Sequence, residues 1–509
     1  MSTLIIEGCS IAAMDGASHE STGTEIRDGH IVVTDGVITA VGTGPSGLSG
    51  RGGPAGRFPP VEAADGTSVT IDGRGCLATP GLINSHHHLY QWLTQGMAQQ
   101  SVLFDWLTEL YPLWARIDAE QVHAAASAGL AALALAGCST STDHHYIFPP
   151  SAGGRGAGRS GGPAGSGVPG GRGGGGAGGP DALAAEIDAA RGLGIRFHPC
   201  RGSMDLGHSA GGLPPDEVVE ETDAALAATE EAIRRFHDPS PGAMVRIAVA
   251  PCSPFSVTPR LMREAAALAR RAGVRLHTHL AETAEEDAYC RQTMGKTPAE
   301  YADDLGWLGP DVWLAHGVHL DEPAVKRLAA TGTSLAHCPS SNARLAAGIA
   351  PVRQLLNAQL SGRKSGVGLG VDGPASSEGS TVSGEMRQAL LAARLRDGPA
   401  ALSPRQALWL GTRGGARCLG REDEIGALRP GMLADVALWR LDTLAHDAYA
   451  FGGTDPDPVA ALVMGPPAPL ELLLVNGRPV VERDQLRTAD ITAITGEVRA
   501  ARRRLLETR

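Results

Sequence analysis

The run Pro80-Gly81-Leu82-Ile83-Asn84-Ser85-His86-His87-His88-Leu89 reads as an apolar strand that ends in His-x-His. Residues two apart share one face of a strand, so His86 and His88 can address a single metal ion while His87 points away. Three later segments have the same form, a short apolar run with a metal-competent residue at its end. They are Leu276-His277-Thr278-His279-Leu280-Ala281-Glu282, Leu314-Ala315-His316 and Gly368-Leu369-Gly370-Val371-Asp372-Gly373. Zinc accepts histidine nitrogen and carboxylate oxygen, and a catalytic zinc keeps one position open for water. His86, His88, His279 and Asp372 would supply three nitrogens and one oxygen, and water at the open position would have its pKa lowered towards ~7. Glu282, three residues past His279, is spare as a ligand and is better placed as a general acid/base between that water and a substrate nitrogen. His316 can hold the developing charge, and Asp372 can also accept a proton.

Four strand ends can meet only if the strands deliver them to one place. A parallel barrel does this, because its strands all finish at one mouth, where the chemistry of such barrels sits. Strand-like runs alternate with Ala/Leu/Arg-rich helical ones from the His-x-His segment to about Leu428, the βαβα pattern of a parallel α/β fold. Eight barrel strands are expected near 81–85, 138–143, 195–201, 245–250, 274–279, 312–316, 334–337 and 366–372, with helices such as 181–192 and 259–272 between them. His277 shares the face of His279 one layer deeper and is expected to be a hydrogen-bonded core residue. His144, His145, His319 and His337 also stand near strand ends, as candidates for touching the substrate or the ligands.

The segments flanking the barrel read differently. Short alternating runs open the chain, and Asp35-Gly36 between two β-branched runs is a hairpin signal. Gly426 to Trp439 and Pro469 to Val481 again read as short strands. The expected division is 1–78 and 426–509 as two halves of one composite β-sandwich, with a TIM-like (β/α)8 barrel over 79–425. Two tracts break the pattern: a Gly/Pro/Ser-rich loop from about Gly42 to Gly56, and Ser151 to Pro180, nearly all Gly, Ser, Arg, Ala and Pro. The second cannot bury enough apolar surface to offset its ordering entropy and is expected to be a disordered insertion. Arg499 to Arg504 is expected to be a solvated helix face.

Composition narrows the function. At 509 residues the chain accommodates a barrel and a smaller domain, and 42% apolar with 19% charged residues is the balance of a soluble globular protein. A formal charge of −11, with scattered Lys and Arg, disfavours a nucleic acid partner. Met1 to Ser10 lacks the pattern of a signal peptide, and no stretch approaches the ~20 apolar residues of a membrane span, so a cytoplasmic protein with no membrane partner is expected. Eight cysteines without a C-x-x-C pair argue for buried free thiols rather than disulfides. Gly295-Lys296-Thr297 lacks the earlier glycine of a phosphate loop, and no H-x-E with P-C-x-x-C is present, which excludes the cytidine-deaminase type of zinc site.

Taken together, these residues resemble the amidohydrolase superfamily, in its branch of metal-dependent aminohydrolases. The likeness rests on the opening hairpin, Pro80 to His88, His279-Leu280-Ala281-Glu282, Ala315-His316-Gly317-Val318-His319-Leu320, His337-Cys338-Pro339-Ser340-Ser341-Asn342, Val371-Asp372-Gly373 and Gly426 to Asp435. The resemblance implies a barrel with a composite sandwich and His86, His88, His279 and Asp372 as ligands of one divalent ion, zinc or else iron. It also implies a small N-heterocyclic substrate and a homo-oligomer, a dimer or larger. Within the branch, the resemblance carried by His86 to Gln91, Leu103 to Leu107, Leu110 to Trp114, Thr142 to Tyr146, Arg201 to Asp205 and Ala250 to Phe255 implies deamination of 8-oxoguanine to urate and ammonia, with other aminohydrolase or chlorohydrolase substrates (guanine, pterin, s-triazine, adenosylhomocysteine) as the alternative. Gln91 falls where guanine deaminases place a purine-binding glutamine, and Cys252 where they place an arginine. Ser377-Glu378 departs from the Asn-Asp expected there. Gln91 and Arg201 are the expected ring-orienting groups, with Trp92 or Trp106 as apolar walls. A catalytically silent barrel acting through partner binding is the competing class, and metal analysis separates the two.

Overall fold

A computed structural model describes residues 3–48, 68–148, 181–359 and 365–507. The 151–180 tract and most of the 42–56 loop lie outside these described residues. Eight parallel strands close into a barrel: Leu82–Asn84, Cys138–His145, Arg196–Ser203, Ala248–Pro251, Arg275–Leu280, Val312–His316, Ser334–His337 and Val367–Leu369. Each falls on a segment expected from the sequence, and together they give the (β/α)8 barrel. The helices start and stop where local chemistry dictates. Thr258 accepts the Leu261 N–H to cap the helix Pro259–Ala272, which ends at Gly273 in the left-handed conformation; Asp181 and Gly194 do the same for Ala182–Leu193.

Strands one and eight share only the Leu369–Asn84 pair, so the closing seam needs other bonds. The Asn84 side chain accepts the Val371 N–H at 3.0 Å and the Ser85 N–H donates to the Leu369 carbonyl at 2.9 Å across that seam, while Asn84 also donates to Ser141 Oγ on strand two at 3.0 Å. The Asp372 N–H donates to the His86 carbonyl at 3.1 Å, which places two of the expected ligands side by side. Inside the barrel, Ile83, Cys200, Ala248, Ala250, Trp313 and Ala336 pack in one cluster, and the Trp313 indole donates to the Ser85 carbonyl at 3.0 Å. A bulge between Leu82/Cys138 and Ile83/Thr140 resets the alternation of strand two, so that His144 turns inward while Asp143 and His145 face the helices.

The two ends of the chain meet in one nine-stranded mixed sheet. Strand Cys76–Pro80 pairs with Thr3–Ala12 from the N-terminal part and with Val436–Arg440 from the C-terminal part. The hairpin at Asp35-Gly36 forms as expected, with φ of 48° and 83°, and Asn476-Gly477 builds a second hairpin with φ of 51° and 74°. An isolated bridge from Val37 to Leu433 brings the far edge back towards the C-terminal strands, around an apolar cluster that includes Ile6, Ile31, Leu438 and Leu474. A buried pair fastens this sheet to the barrel: Arg196 Nη2 lies 3.0 Å from Asp435 Oδ1, which also accepts the Asn476 N–H at 2.8 Å.

One expectation changes. The C-terminal helix Ile491–Glu507 is not merely solvated, because Ala501 and Leu505 are buried and Arg502 donates to the carbonyls of Leu93 and Gln95 at 3.1 and 3.0 Å. It therefore braces the 3-10 turn Leu89–Thr94, which carries Gln91. The cysteines are buried free thiols, as expected. Among the described residues no helix is long and apolar enough to cross a membrane.

Candidate metal centre and active site

The Nε2 atoms of His88 and His279 stand 3.1 Å apart, and Asp372 Oδ1 lies 3.3 Å from His88 Nε2 and 3.6 Å from His86 Nε2. The other nitrogen of each imidazole is already committed. His88 Nδ1 donates to the His144 carbonyl at 2.8 Å and His279 Nδ1 to the Cys252 carbonyl at 2.7 Å. His86 Nδ1 meets His277 Nε2 at 2.8 Å, while His277 Nδ1 donates to the Trp313 carbonyl at 2.8 Å. Burial pushes the His277 pKa down to about 3, so its Nε2 is bare and accepts from His86. All three ligand histidines thus present an unprotonated Nε2 to one point, the tautomer that metal binding requires.

These donors fit a divalent ion. His86 Nε2 is buried without any hydrogen-bond partner, and burial followed by the neighbouring imidazoles holds His86 and His279 well below the ordinary histidine range. Asp372 goes the other way. Burial opposes its ionisation, but the neighbouring groups, among them the Gly373 N–H that it accepts, outweigh that, and its carboxyl sits below the usual range. His86, His88 and His279, with Asp372 beside them, could hold a single divalent ion, and nitrogen with carboxylate oxygen is a donor set that suits zinc.

Beside the donors stand Glu282 and His316. His316 Nε2 lies 3.7 Å from Glu282 Oε2 and 3.9 Å from Asp372 Oδ2, and its Nδ1 donates to Asn342 Oδ1 at 3.0 Å. Burial, then Asp372 and Glu286, raise the Glu282 pKa well above the ordinary range, which suits a group that delivers a proton. Ala281, His316 and Asp372 all adopt left-handed backbone, with φ of 54°, 73° and 60°. Such strain in non-glycine residues concentrates at functional sites. For His316 it has a visible purpose: Val312 and Leu314 pack outside the barrel, and strict alternation would send His316 outward with them.

His88, His279 and Asp372 line the floor of a cavity. Its walls are mainly apolar and aromatic, Leu103, Trp106, Leu107, Tyr111, Tyr146 and Phe255, with Gln91, Cys252, Ser253 and Ser376 as polar or sulfur-bearing members. The Trp106 indole N–H is spent on the Ala375 carbonyl at 3.2 Å, so its ring acts as a wall. Gln91 Oε1 is buried and unpartnered. Two expected contacts are not brought in. Arg201 follows inward-facing Cys200 and so faces outward, where it grips Glu220 through two bonds of 2.7 Å and stacks 3.8 Å from the Phe148 ring. Trp92 packs on the helical layer instead of lining the cavity. Ser377 is buried next to the lining residue Ser376, and Glu378 is exposed, 3.4 Å from Arg344.

Of the four further histidines, His144 stacks on His279 with centroids 4.8 Å apart and donates through Nε2 to the Ala250 carbonyl. His145 bonds Glu186 at 2.8 Å in the layer behind, His319 donates to the Ala347 carbonyl, and the buried His337 ring has no hydrogen-bond partner among the described residues. Sequence reasoning assigned no role to Glu286 or Asn342. Asn342 lay in a quoted motif, and Glu286 carried a signal in Thr283-x-x-Glu286, the spacing of a helix N-cap.

The barrel, its mouth-facing donors and the buried carboxyl beside them define a metal-dependent hydrolase acting on carbon–nitrogen bonds. The chain belongs to the amidohydrolase family, whose sequence model matches residues 77–478. It is 42% identical to the 8-oxoguanine deaminase of Pseudomonas aeruginosa over 86% of this chain and 90% of that one. An isoxanthopterin deaminase from an unknown prokaryotic organism is 36% identical over 86% of this chain and 87% of that one. Among solved structures, the atrazine chlorohydrolase of Arthrobacter aurescens complexed with zinc superposes with a TM-score of 0.82 at 32% identity, over 98% of this chain and all of that one (100%).

Proposed function

We propose that the chain catalyses hydrolytic deamination of an amino-substituted N-heterocycle of the purine, pterin or triazine type, and that within this class 8-oxoguanine is the first substrate to test. One observation carries the reaction class: Glu282, a buried carboxyl, stands beside the metal donor set at the floor of an aromatic cavity. The named relatives support a heterocyclic substrate, and the 42% identical one supports 8-oxoguanine.

When bound, the divalent ion polarises water and lowers its pKa towards ~7. The protein's part is to place the ring and move protons. Trp106 and Phe255 flank a planar ring, and the free Gln91 carbonyl oxygen accepts from its edge. Asp372, held as a carboxylate, accepts a proton from the attacking water, and Glu282 protonates the ring nitrogen next to the carbon under attack. A carbon–oxygen bond forms and the exocyclic carbon–nitrogen bond breaks. One of the two protons of water ends on the ring and the other leaves with ammonia, carried by Asp372 and Glu282, while His316 Nε2 lies within reach of both.

Among the described residues no arginine lines the cavity, which favours a second reading in which a triazine or pterin fills it; the likeness to a zinc-bound chlorohydrolase, at 32% identity, supports this reading. Purified, zinc-loaded protein assayed against 8-oxoguanine, guanine, isoxanthopterin, ammeline and a chloro-triazine separates the cases, with ammonia and chloride release measured separately. A kcat/KM for 8-oxoguanine at least about a hundredfold above guanine is expected, since a site built around a substrate's polar group rejects the analogue lacking it. Equal values, or preference for a triazine, would remove 8-oxoguanine and leave the aminohydrolase class. Chloride release without ammonia would remove the class.

A further inference from the structure

Glu286 is fully buried, yet it touches neither the donor set nor the cavity. Its two carboxylate oxygens are spent on consecutive backbone groups: Oε1 accepts the Ala281 N–H at 2.8 Å and Oε2 the Glu282 N–H at 2.8 Å. These amides belong to the turn that leaves barrel strand five, between the ligand His279 and the helix Ala284–Met294. That turn is strained, with Ala281 at φ 54°. It is also tied from the other side, where the Ala281 carbonyl accepts the His319 N–H at 2.9 Å. Glu286 itself is fixed by Thr283, whose Oγ1 accepts the Glu286 N–H at 3.3 Å as the helix cap. In the usual capping box the residue at this position turns back to the N–H of the cap; here the carboxylate reaches past it to the two residues before.

From this arrangement we propose that Glu286 is a positioning residue for catalysis: its bidentate grip on the Ala281 and Glu282 amides sets the direction of the Glu282 side chain relative to the metal donors. The inference rests on Glu282 being the proton-transfer group. Ala281 pays a conformational penalty to make the turn, and a carboxylate accepting two charge-assisted bonds is the strongest local way to hold it. A glutamine cannot replace it, because an amide offers one oxygen and sets its NH2 against the other backbone N–H, donor against donor. A displacement of about 1 Å at a reacting group costs on the order of a hundredfold in rate, so a small relaxation of this turn is enough to be seen.

The test is a double-mutant cycle between Glu286→Gln and Glu282→Gln in the zinc-loaded protein, with amide hydrogen exchange followed over residues 280–286 in both metal-loaded and metal-free protein. Glu286→Gln is expected to lower kcat about 10- to 100-fold with KM changed less than about threefold. Exchange at the Ala281 and Glu282 amides should be faster in both metal states. In the Glu282→Gln background the same change should cost less than about threefold, because the residue through which it acts is already lost. Glu286→Ala repeats the measurement without an amide clash, should its partner variant fold poorly. Equal rate losses in both backgrounds, a loss confined to KM, or unchanged exchange at those amides would overturn the proposal. Full activity in Glu282→Gln alone would instead remove the role of Glu282 itself, a result visible before Glu286 is changed.

Discussion

His277 Nε2 accepts the Nδ1 proton of His86 at 2.8 Å, and this one bond decides which nitrogen of His86 faces the metal. His277 can act this way because its own proton is held on Nδ1 by the Trp313 carbonyl, while its ring stacks on the Trp313 indole at 4.4 Å with planes 15° apart. His277→Phe preserves the stack and removes the acceptor. Loss of such a partner behind a metal ligand typically costs 10–100-fold in affinity. We expect that range for zinc in chelator competition, with near-native circular dichroism; unchanged affinity would show that His86 selects its tautomer unaided.

Glu282→Gln preserves shape and cannot carry a proton. Turnover is expected to fall by about 10²–10⁴-fold with one metal ion still bound per chain, the range for a positioned acid/base. Retention of more than about a third of wild-type kcat, measured on protein of verified metal content, would count against the role.

Glu385 is buried, with its carboxylate accepting the Ser340 N–H at 3.0 Å. Burial, with a smaller contribution from Asp372, raises its pKa to about 7 from 4.5. The folded protein therefore binds this proton more tightly than the unfolded chain does. The stability it contributes is fully present below about pH 4.5 and is lost as pH rises through about 7, with an upper bound of roughly 3 kcal/mol. Glu385→Gln cannot ionise and keeps an oxygen for Ser340, so its Tm should match the wild type near pH 4.5 and exceed it at pH 8. A Tm difference independent of pH would refute this account.

The barrel was legible because the strands that carry a metal-competent residue carry it at the same end, a register that parallel strands impose. Misreadings arose where side-chain direction depends on alternation along a strand. Arg201 stands near the barrel mouth, but Cys200 occupies the inward position and Arg201 turns out to Glu220. His316 shows the opposite case, since its left-handed backbone overrides alternation and no local composition signals it. Glu286 went unassigned because its partners are main-chain amides, which look alike in every sequence.

Gly373 directly follows the ligand Asp372 and donates its N–H to Asp372 Oδ1 at 2.7 Å. Any side chain at this position would collide with Oε1 of Gln91. That oxygen is buried, has no hydrogen-bond partner among the described residues and belongs to a residue lining the cavity, so the absence of a methyl at 373 is what lets Gln91 keep its place in the cavity wall. Gly373→Ala should therefore act as a remote Gln91 variant. KM is expected to rise about tenfold or more with metal content unchanged, since a buried polar contact to the substrate is lost. Gln91→Ala should give a similar rise, and the double variant should be no worse than the poorer single one, because both changes remove the same contact. Additive losses in the double variant, or loss of metal in Gly373→Ala before any change in KM, would show that the glycine serves Asp372 instead.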